Sequence, residues 1–188
     1  MNRIHHWYCA RPGWAKYVRD ELVPGSVAGV DLGDDVLEVG PGPGTTTDAL
    51  APVVDRLTAL EIDDAFAEPL ARRLADTHVQ VRRGDATEMP FPDGRFSAVV
   101  CFTMLHHVPT PSLQNRIFAE ARRVLRPGGV FLGSDSRGLG LRFRLLHIRD
   151  TKVLVDPVTL PGRLADAGFD EVDVDPGPPL RFRAVLAA

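Results

Sequence analysis

The sequence of 188 residues is poor in cysteine, with only Cys9 and Cys101. Two cysteines are too few for a disulfide framework, and they do not form the paired Cys-x-x-Cys arrangement of a zinc site. At this length a chain buries roughly 70% of the surface that its unfolded form exposes, which is enough for a core without such staples. We therefore expect no metal site and a reducing, cytoplasmic location.

Long apolar runs and clustered basic residues are also missing. No stretch approaches the roughly 18 apolar residues of a membrane-spanning helix, and the N-terminus has no apolar run typical of a secretory signal peptide. There are 22 Lys+Arg and 25 Asp+Glu residues, giving a formal net charge of −3 without a basic block. This balance provides no electrostatic surface for a nucleic-acid backbone or an anionic membrane. We expect neither a membrane span nor a nucleic-acid partner.

What the sequence does contain is a regular alternation of short apolar segments with helical periodicities. The segments that predict β-strands are 36–39, 56–62, 79–82, 96–102, 128–134, 171–174 and 180–186. The segments that predict helices are 12–22, 45–51, 63–77, 111–125 and 157–167. Strands that alternate with helices in this way indicate a parallel sheet covered by helices on both faces.

The last two predicted strands are joined by a short connection that contains Pro176-Gly177-Pro178-Pro179. This connection is too short for a helical crossover, so these two strands must pair antiparallel as a hairpin. The predicted fold class is therefore α/β, with a doubly wound, Rossmann-like sheet of seven strands that is mostly parallel and has an antiparallel C-terminal hairpin strand.

A glycine-rich loop, Gly40-Pro41-Gly42-Pro43-Gly44, follows the first predicted strand. Glycine lacks Cβ, so the backbone can turn sharply there and a ligand can approach the main chain closely. In open α/β sheets, ligands bind beyond the carboxyl ends of the strands near the point where the strand order reverses. By itself, such a loop is also compatible with a tight strand-to-helix turn that binds nothing.

Three acidic residues stand in or directly after predicted strands. Glu61 ends the second strand, where a carboxylate can accept hydrogen bonds from both hydroxyls of a ribose. Asp85 follows the third strand, within reach of the exocyclic amine of an adenine. Glu38 lies inside the first strand, where its charge needs a cationic or donor partner. A ligand with an amine, a ribose and an adenine would satisfy all three; the alternative is three unrelated surface acids.

These features together resemble a known family. The segments that carry the resemblance are 36–63, 84–96 and 122–129. In them the sequence resembles the class I S-adenosylmethionine-dependent methyltransferases, and within these the small branch typified by the ubiquinone/menaquinone biosynthesis C-methyltransferases. The resemblance extends over about residues 35–188. It implies S-adenosylmethionine as cofactor and a single domain, 1–188, in which 1–24 form a lid or cover helix on a cofactor-binding core at 35–188.

The resemblance also implies roles for individual positions. The residues implied in cofactor binding are Glu38, Gly40, Pro41, Gly42, Gly44, Glu61, Ile62, Asp85, Ala86 and Phe102. Glu38 and the glycine loop would hold the methionine part. Glu61 would bind the ribose and Asp85 the adenine amine, with the residue after each acid beside the adenine ring. Phe102 would line the pocket at the end of the fourth strand.

The loop also contains a reason against a dinucleotide. A pyrophosphate binds to main-chain N–H groups at a helix N-terminus, where a neighbouring carboxylate such as Glu38 would repel it. The spacing Glu-x-Gly-x-Gly-x-Gly also differs from the Gly-x-Gly-x-x-Gly of dinucleotide sites. An ammonium or sulfonium group tolerates acidic surroundings, which favours S-adenosylmethionine over NAD.

Candidate residues for the methyl acceptor follow the fourth predicted strand. His106 and His107 are expected at the carboxyl edge of the sheet, where a histidine can serve as a general base if the acceptor carries a proton to lose. His107 is the stronger candidate because the family often has histidine there, and a structural histidine is the alternative. The Asn/Asp-Pro-Pro-aromatic run of methyltransferases for exocyclic amines and glutamine amides is absent, which disfavours that chemistry. Cys101 is expected to be a small buried strand residue rather than a nucleophile.

Two further segments are candidates for the acceptor side. Trp7 and Tyr8, in the aromatic and histidine-rich N-terminus, suit a substrate lid, while helix packing and a metal site are alternatives. His147 lies in the segment 139–148, where apolar residues mix with arginines. This segment is either an amphipathic lid helix with cations for an anionic substrate or a plain surface helix.

The expected function is methyl transfer from S-adenosylmethionine to a small-molecule acceptor by in-line displacement. A non-catalytic S-adenosylmethionine-binding or scaffold protein of the same fold is the alternative, because no base is assured. An NAD-dependent oxidoreductase is a third and weaker hypothesis. The sheet and hairpin account for most of the length, so the substrate is expected to be small. Neither the acceptor atom nor the oligomeric state follows from the sequence.

Overall fold

A computed structural model describes residues 11–138 and 152–188. The strands are β1 Val36–Val39, β2 Leu57–Glu61, β3 Val79–Arg83, β4 Phe96–Phe102, β5 Leu125–Asp135, β6 Glu171–Asp175 and β7 Leu180–Val185. The α-helices are α1 Pro12–Tyr17, α2 Val23–Val27, α3 Thr45–Leu50, α4 Asp64–Arg73, α5 Pro111–Val124 and α6 Leu160–Asp166. A π-helical segment, Val18–Leu22, joins α1 to α2, and short 3-10 turns occur at Ala51–Val53 and Leu105–His107.

The strands form one sheet in the order β3-β2-β1-β4-β5-β7-β6. Strands β1 to β5 are mutually parallel, and β7 pairs antiparallel with both β5 and β6. The predicted Rossmann-like sheet with its antiparallel C-terminal hairpin strand is therefore confirmed. The strand order reverses between β1 and β4, so the crevice beyond the carboxyl ends of these two strands is the expected ligand site.

Central and edge strands differ in burial as their sequences predict. Every residue of β1, β2 and β4 is buried, because helices cover both faces of the middle of the sheet. In the edge strands β3 and β6, exposed polar or charged residues alternate with the apolar ones. In β1, Leu37 and Val39 pack into one apolar cluster and Val36 packs into a second, so the sheet separates two core layers.

The longest described helix, α5, shows how local sequence sets an element. The Thr110 hydroxyl accepts a hydrogen bond from the Leu113 N–H at 3.2 Å and caps the N-terminus. Ile117, Phe118 and Ala121 recur at helical spacing and are buried against the sheet. None of the helices in the described ranges is long and apolar enough to cross a membrane.

Several boundaries differ from the sequence-based expectation: α4 ends at Arg73 rather than residue 77, α6 begins at Leu160 rather than residue 157, and two further differences have a clear physical reason. Strand β5 begins at Leu125 rather than residue 128, because Leu125 already pairs with Phe96 and the Pro-Gly-Gly segment is an irregularity within the strand. The first helix continues past Leu22 to Val27 through the π-helical segment, although Pro24 and Gly25 suggest a stop. Pro24 is tolerated because it occupies the first turn of α2.

Candidate cofactor and active site

A cavity of about 440 Å³ opens beyond the carboxyl ends of β1, β2 and β4. Its size is within the range of roughly 300–1,000 Å³ that is typical of small-molecule sites. The glycine loop, the ends of β2 and β4, the turn after β3 and Trp14 of α1 contribute to its wall. Among the described residues that line it, none is lysine or arginine, whereas Glu61, Asp63 and Asp85 are all present.

The glycine loop adopts a conformation that other residues rarely take. Gly40, Gly42 and Gly44 have φ values of 69°, 54° and 91°. A Cβ on Gly44 would lie 2.4 Å from Cδ1 of Leu70, so glycine is needed there for packing as well. Gly40, Pro41 and Gly42 line the cavity, while Gly44 is the residue from which α3 begins.

Glu61 connects the end of β2 to this loop. Its Oε2 accepts a hydrogen bond from the Gly42 N–H at 2.9 Å, and its Oε1 accepts one from the Asp63 N–H at 3.0 Å. The residue is only 6% exposed, yet it lines the cavity. Each carboxylate oxygen can accept a further bond, so Glu61 can hold two ligand hydroxyls without releasing the loop.

Asp85 and the apolar residues near it form the other side of this wall. Asp85 Oδ1 accepts hydrogen bonds from the N–H and the hydroxyl of Thr87, both at 2.8 Å. Ala86 lies on the same wall, and Ile62 exposes 60% of its surface there. An exposed isoleucine beside a carboxylate offers a planar ring an apolar contact and a hydrogen-bond acceptor at once.

Glu38 lies beneath the loop and is absent from the cavity lining. It is 1% exposed, and its carboxylate accepts hydrogen bonds from the hydroxyls of Thr46 and, at 2.6 Å, Thr47. Burial raises the pKa of Glu38 to about 7. The donor partner that the sequence analysis required is thus supplied by α3, and any effect of Glu38 on a ligand acts through its charge or through a change of these bonds.

The two histidines after β4 have different surroundings. His107 is half-buried and lines the cavity. His106 is 2% exposed and is not among the lining residues; its Nδ1 bonds to Asp135 Oδ1, and its N–H donates to Asp135 Oδ2 at 3.0 Å. The two imidazole rings lie 4.2 Å apart between centroids. The His106–Asp135 pair therefore attaches the turn at residues 105–107 to the end of β5, and His107 on this turn faces the cavity.

Phe102 and Thr103 complete the wall at the end of β4. Phe102 is 3% exposed and lines the cavity, as does Thr103. Thr103 has φ +53°, which is unusual for a β-branched residue and is held by its N–H bond to the Ser134 carbonyl at 2.7 Å. Cys101, one residue earlier, is buried in the core, and burial raises its thiol pKa.

The structure adds lining residues that the sequence analysis did not select. Trp14, Thr103 and Met104 all line the cavity. The position of Trp14 on the predicted N-terminal helix was a usable signal, since that helix was expected to cover the site. The left-handed conformation of Thr103 leaves no trace in the sequence. Trp7, Tyr8 and His147 lie outside the described residues.

Comparisons with known proteins agree with this architecture. Residues 37–133 match the family model described as "Methyltransferase domain". A probable S-adenosylmethionine-dependent methyltransferase of Mycolicibacterium smegmatis is 33% identical over 86% of this chain and 63% of its own length. A probable ribosomal RNA small subunit methyltransferase A of Pyrobaculum aerophilum is 37% identical over 62% of this chain and 55% of its own length. The chain thus spans less than two thirds of either relative.

A solved structure shows the same fold. A putative methyltransferase of Haloferax volcanii, determined in complex with the Trm112 methyltransferase activator, superposes with a TM-score of 0.74 over 100% of this chain and 99% of its own, at 19% identity. The family model covers more than half of the sequence, including the glycine loop and β4. The chain therefore belongs to the methyltransferase-domain family and has the class I fold of the S-adenosylmethionine-dependent enzymes.

Proposed function

We propose that this protein transfers a methyl group from S-adenosylmethionine to a small-molecule acceptor. The observation that carries the proposal is the hydrogen bond from the Gly42 N–H to Glu61, which connects the glycine loop to the end of β2 at the cavity wall. The described residues of this wall include no lysine or arginine. Such a wall suits a ligand that combines ribose hydroxyls with positive charge and repels a pyrophosphate. When bound, this cofactor supplies a methyl group already activated on a sulfonium.

The described residues fit the parts of that cofactor. Glu61 would accept the ribose hydroxyls, Asp85 the adenine amine, and Ile62 and Ala86 would lie against the ring. The loop at residues 40–44 would hold the methionine part, with the Glu38 charge beneath it. Phe102 would close the pocket at the end of β4. The residues would then act mainly by aligning donor and acceptor and excluding water.

His107 is the proposed proton acceptor where the methyl acceptor must lose a proton. Among the described residues, His107 is the histidine that lines the cavity. The bond between His106 and Asp135 holds the turn that carries it. A small acceptor is favoured over a nucleic acid because the described lining lacks the lysine and arginine side chains that a phosphate backbone requires. The relative named for ribosomal RNA makes a macromolecular acceptor the main competing outcome.

Calorimetry with S-adenosylhomocysteine tests the cofactor part of the proposal. We expect a dissociation constant in the micromolar range, which corresponds to a binding free energy of about −8 kcal/mol. The reason is that the pocket offers both hydrogen-bond acceptors and apolar contacts to one ligand. NAD and ATP serve as matched controls that share the adenosine part but carry phosphates, and neither should bind comparably. The absence of heat with S-adenosylhomocysteine would contradict the proposal.

A labelled-methyl assay on fractionated cell extract tests the transfer. Label should accumulate in the small-molecule fraction. Cofactor binding without label in any fraction would instead support the scaffold alternative, and label in RNA or protein would overturn the small-acceptor assignment.

Replacement of His107 by glutamine tests the proton acceptor. With an acceptor that loses a proton, we expect the transfer rate to fall by at least about tenfold while the affinity for S-adenosylhomocysteine is retained. His78→Gln, an exposed histidine before β3, is the control and should leave the rate unchanged. A His107→Gln variant with the wild-type transfer rate would show that His107 is not the proton acceptor.

A further inference from the structure

The turn that bears Asp85 is the first part of a longer connection, residues 84–95, between β3 and β4. Its start is held by the Gly84 N–H, which donates to the Glu61 carbonyl at 3.0 Å. From Asp85 onward none of the described strands pairs with the connection, so some other contact must set its path. That contact comes from α5, on the same side of the sheet.

Two charged residues one turn apart on α5 hold the second half of this connection. Glu120 Oε2 accepts the Met89 N–H at 2.6 Å. Arg123 donates to the Met89 carbonyl at 3.0 Å and to the Phe91 carbonyl at 2.9 Å. It also donates to Asp93 Oδ1 at 2.7 Å and to both oxygens of Glu120, at 2.8 and 2.7 Å.

We propose that Arg123 and Glu120 are positioning residues for the adenine side of the cofactor pocket. The inference rests on the proposed function. The anchor at Met89 lies two residues beyond Thr87, whose N–H and hydroxyl both bond to Asp85 Oδ1. A shift of Met89 would therefore move Thr87, and through its two hydrogen bonds the Asp85 carboxylate that would accept the adenine amine. Ala86, between them, would move as well.

The surroundings of the pair support this role. Met89 and Phe91 are 4% and 8% exposed, so their backbone groups have little access to water as a substitute partner. The Arg123 guanidinium lowers the pKa of Glu120, and the two carboxylates raise the pKa of Arg123, so both remain charged across the neutral range. A planar guanidinium can reach two carbonyls and two carboxylates at once, which a lysine ammonium cannot.

The chemistry of the base gives a readout that a purely structural role would not move. Asp85 would accept a hydrogen bond from the adenine amine, whereas hypoxanthine has a carbonyl oxygen at that position and would face the carboxylate unfavourably. Selectivity for S-adenosylhomocysteine over S-inosylhomocysteine therefore reports the placement of Asp85. General stability does not determine this ratio, because the two ligands differ only at the Watson–Crick edge of the base, where the 6-amine and bare N1 of adenine are replaced by a carbonyl oxygen and an N1–H.

The experiment compares the two dissociation constants in wild type, Arg123→Lys and Glu120→Gln. We expect wild type to prefer the adenine ligand by about tenfold or more, since a site built to bond an amine rejects an analogue without it. In Arg123→Lys the preference should fall severalfold, mainly through weaker binding of the adenine ligand. Glu120→Gln, which keeps an acceptor for the Met89 N–H, should show a smaller fall and serves if the first variant does not fold.

Two controls separate positioning from stability. Arg126→Lys changes an exposed ion pair with Asp34 outside the cavity and should leave the ratio unchanged. Asp93→Asn weakens only the ion pair between Arg123 and Asp93, whose side chain is 81% exposed, and should have little effect on the ratio of dissociation constants. A wild-type ratio in folded Arg123→Lys and Glu120→Gln would overturn the positioning role alone. A wild-type protein that binds neither ligand would overturn the proposed function and this inference with it.

Discussion

Replacement of Glu61 by alanine is expected to weaken S-adenosylhomocysteine binding by roughly 100-fold or more, about 3 kcal/mol. The loss has two physical sources. The ribose would lose charge-assisted hydrogen bonds in a pocket where Glu61 is 6% exposed, and the Gly42 and Asp63 N–H groups would lose the carboxylate that now accepts from them. The glycine loop would then lose its side-chain bond to the end of β2 at Gly42, although the Gly40 N–H would still donate to the Leu60 carbonyl.

Calorimetry at neutral pH measures this change. Glu61→Gln keeps the shape and one acceptor oxygen, so its affinity should lie between those of wild type and Glu61→Ala. Glu68→Ala is the matched control, because this glutamate of α4 is 69% exposed and forms an exposed ion pair with Arg72, at 3.6 Å. It should bind like wild type. An alanine variant at position 61 with wild-type affinity would exclude Glu61 from the cofactor site.

Replacement of Glu38 by glutamine is expected to change the free energy of unfolding differently in acid and at alkaline pH. The change should be more stabilising at alkaline pH than in acid by about 3 kcal/mol. Burial raises the folded-state pKa of Glu38 from 4.5 to about 7. Below pH 4.5 both states of wild type hold the proton, and no penalty arises. Between pH 4.5 and about 7 the unfolded state releases this proton while the folded state retains it, so stability falls over this interval, and above about 7 the loss is complete. Glutamine cannot ionise and avoids this loss.

Urea unfolding of the cofactor-free protein at pH values from 5 to 8 measures the difference. The gap in unfolding free energy between Glu38→Gln and wild type should widen from pH 5 to about 7 and then level off. The amide can still bond to the Thr46 and Thr47 hydroxyls, so the variant should fold at every pH. Glu68→Gln is the control for an exposed glutamate and should show no such widening. A pH-independent gap would mean that Glu38 is ionised throughout.

Much of the fold could be predicted because it depends on local patterns. The apolar runs at residues 36–39 and 96–102 predicted strands, and β1 and β4 occur at the predicted bounds. The short Pro176–Pro179 connection required an antiparallel hairpin, which β6 and β7 form. Errors arose where long-range pairing outweighed local signals. Leu125 joins β5 through its register with Phe96, and packing carries the first helix past Pro24.

The candidate site was predictable to the extent that it follows strand ends. Glu61 ends β2, Asp85 follows β3 and His107 follows β4, and parallel pairing brings them to one cavity. The loop contacts of Glu61, the threonine partners of Glu38 and the burial of His106 against Asp135 depend on side-chain packing between distant elements. The sequence pattern does not specify those contacts.

The sequence by itself determined the order of strands and helices, the glycine loop and the chemical types at the strand ends, because these depend on residues close together in the chain. Only the tertiary structure decided that Glu38 lies beneath the loop, that His107 rather than His106 lines the cavity, and that Arg123 holds the connection after Asp85. Each of these outcomes depends on contacts between residues far apart in sequence, and their geometry is set by the packing of α3 and α5 and by the pairing of β4 with β5.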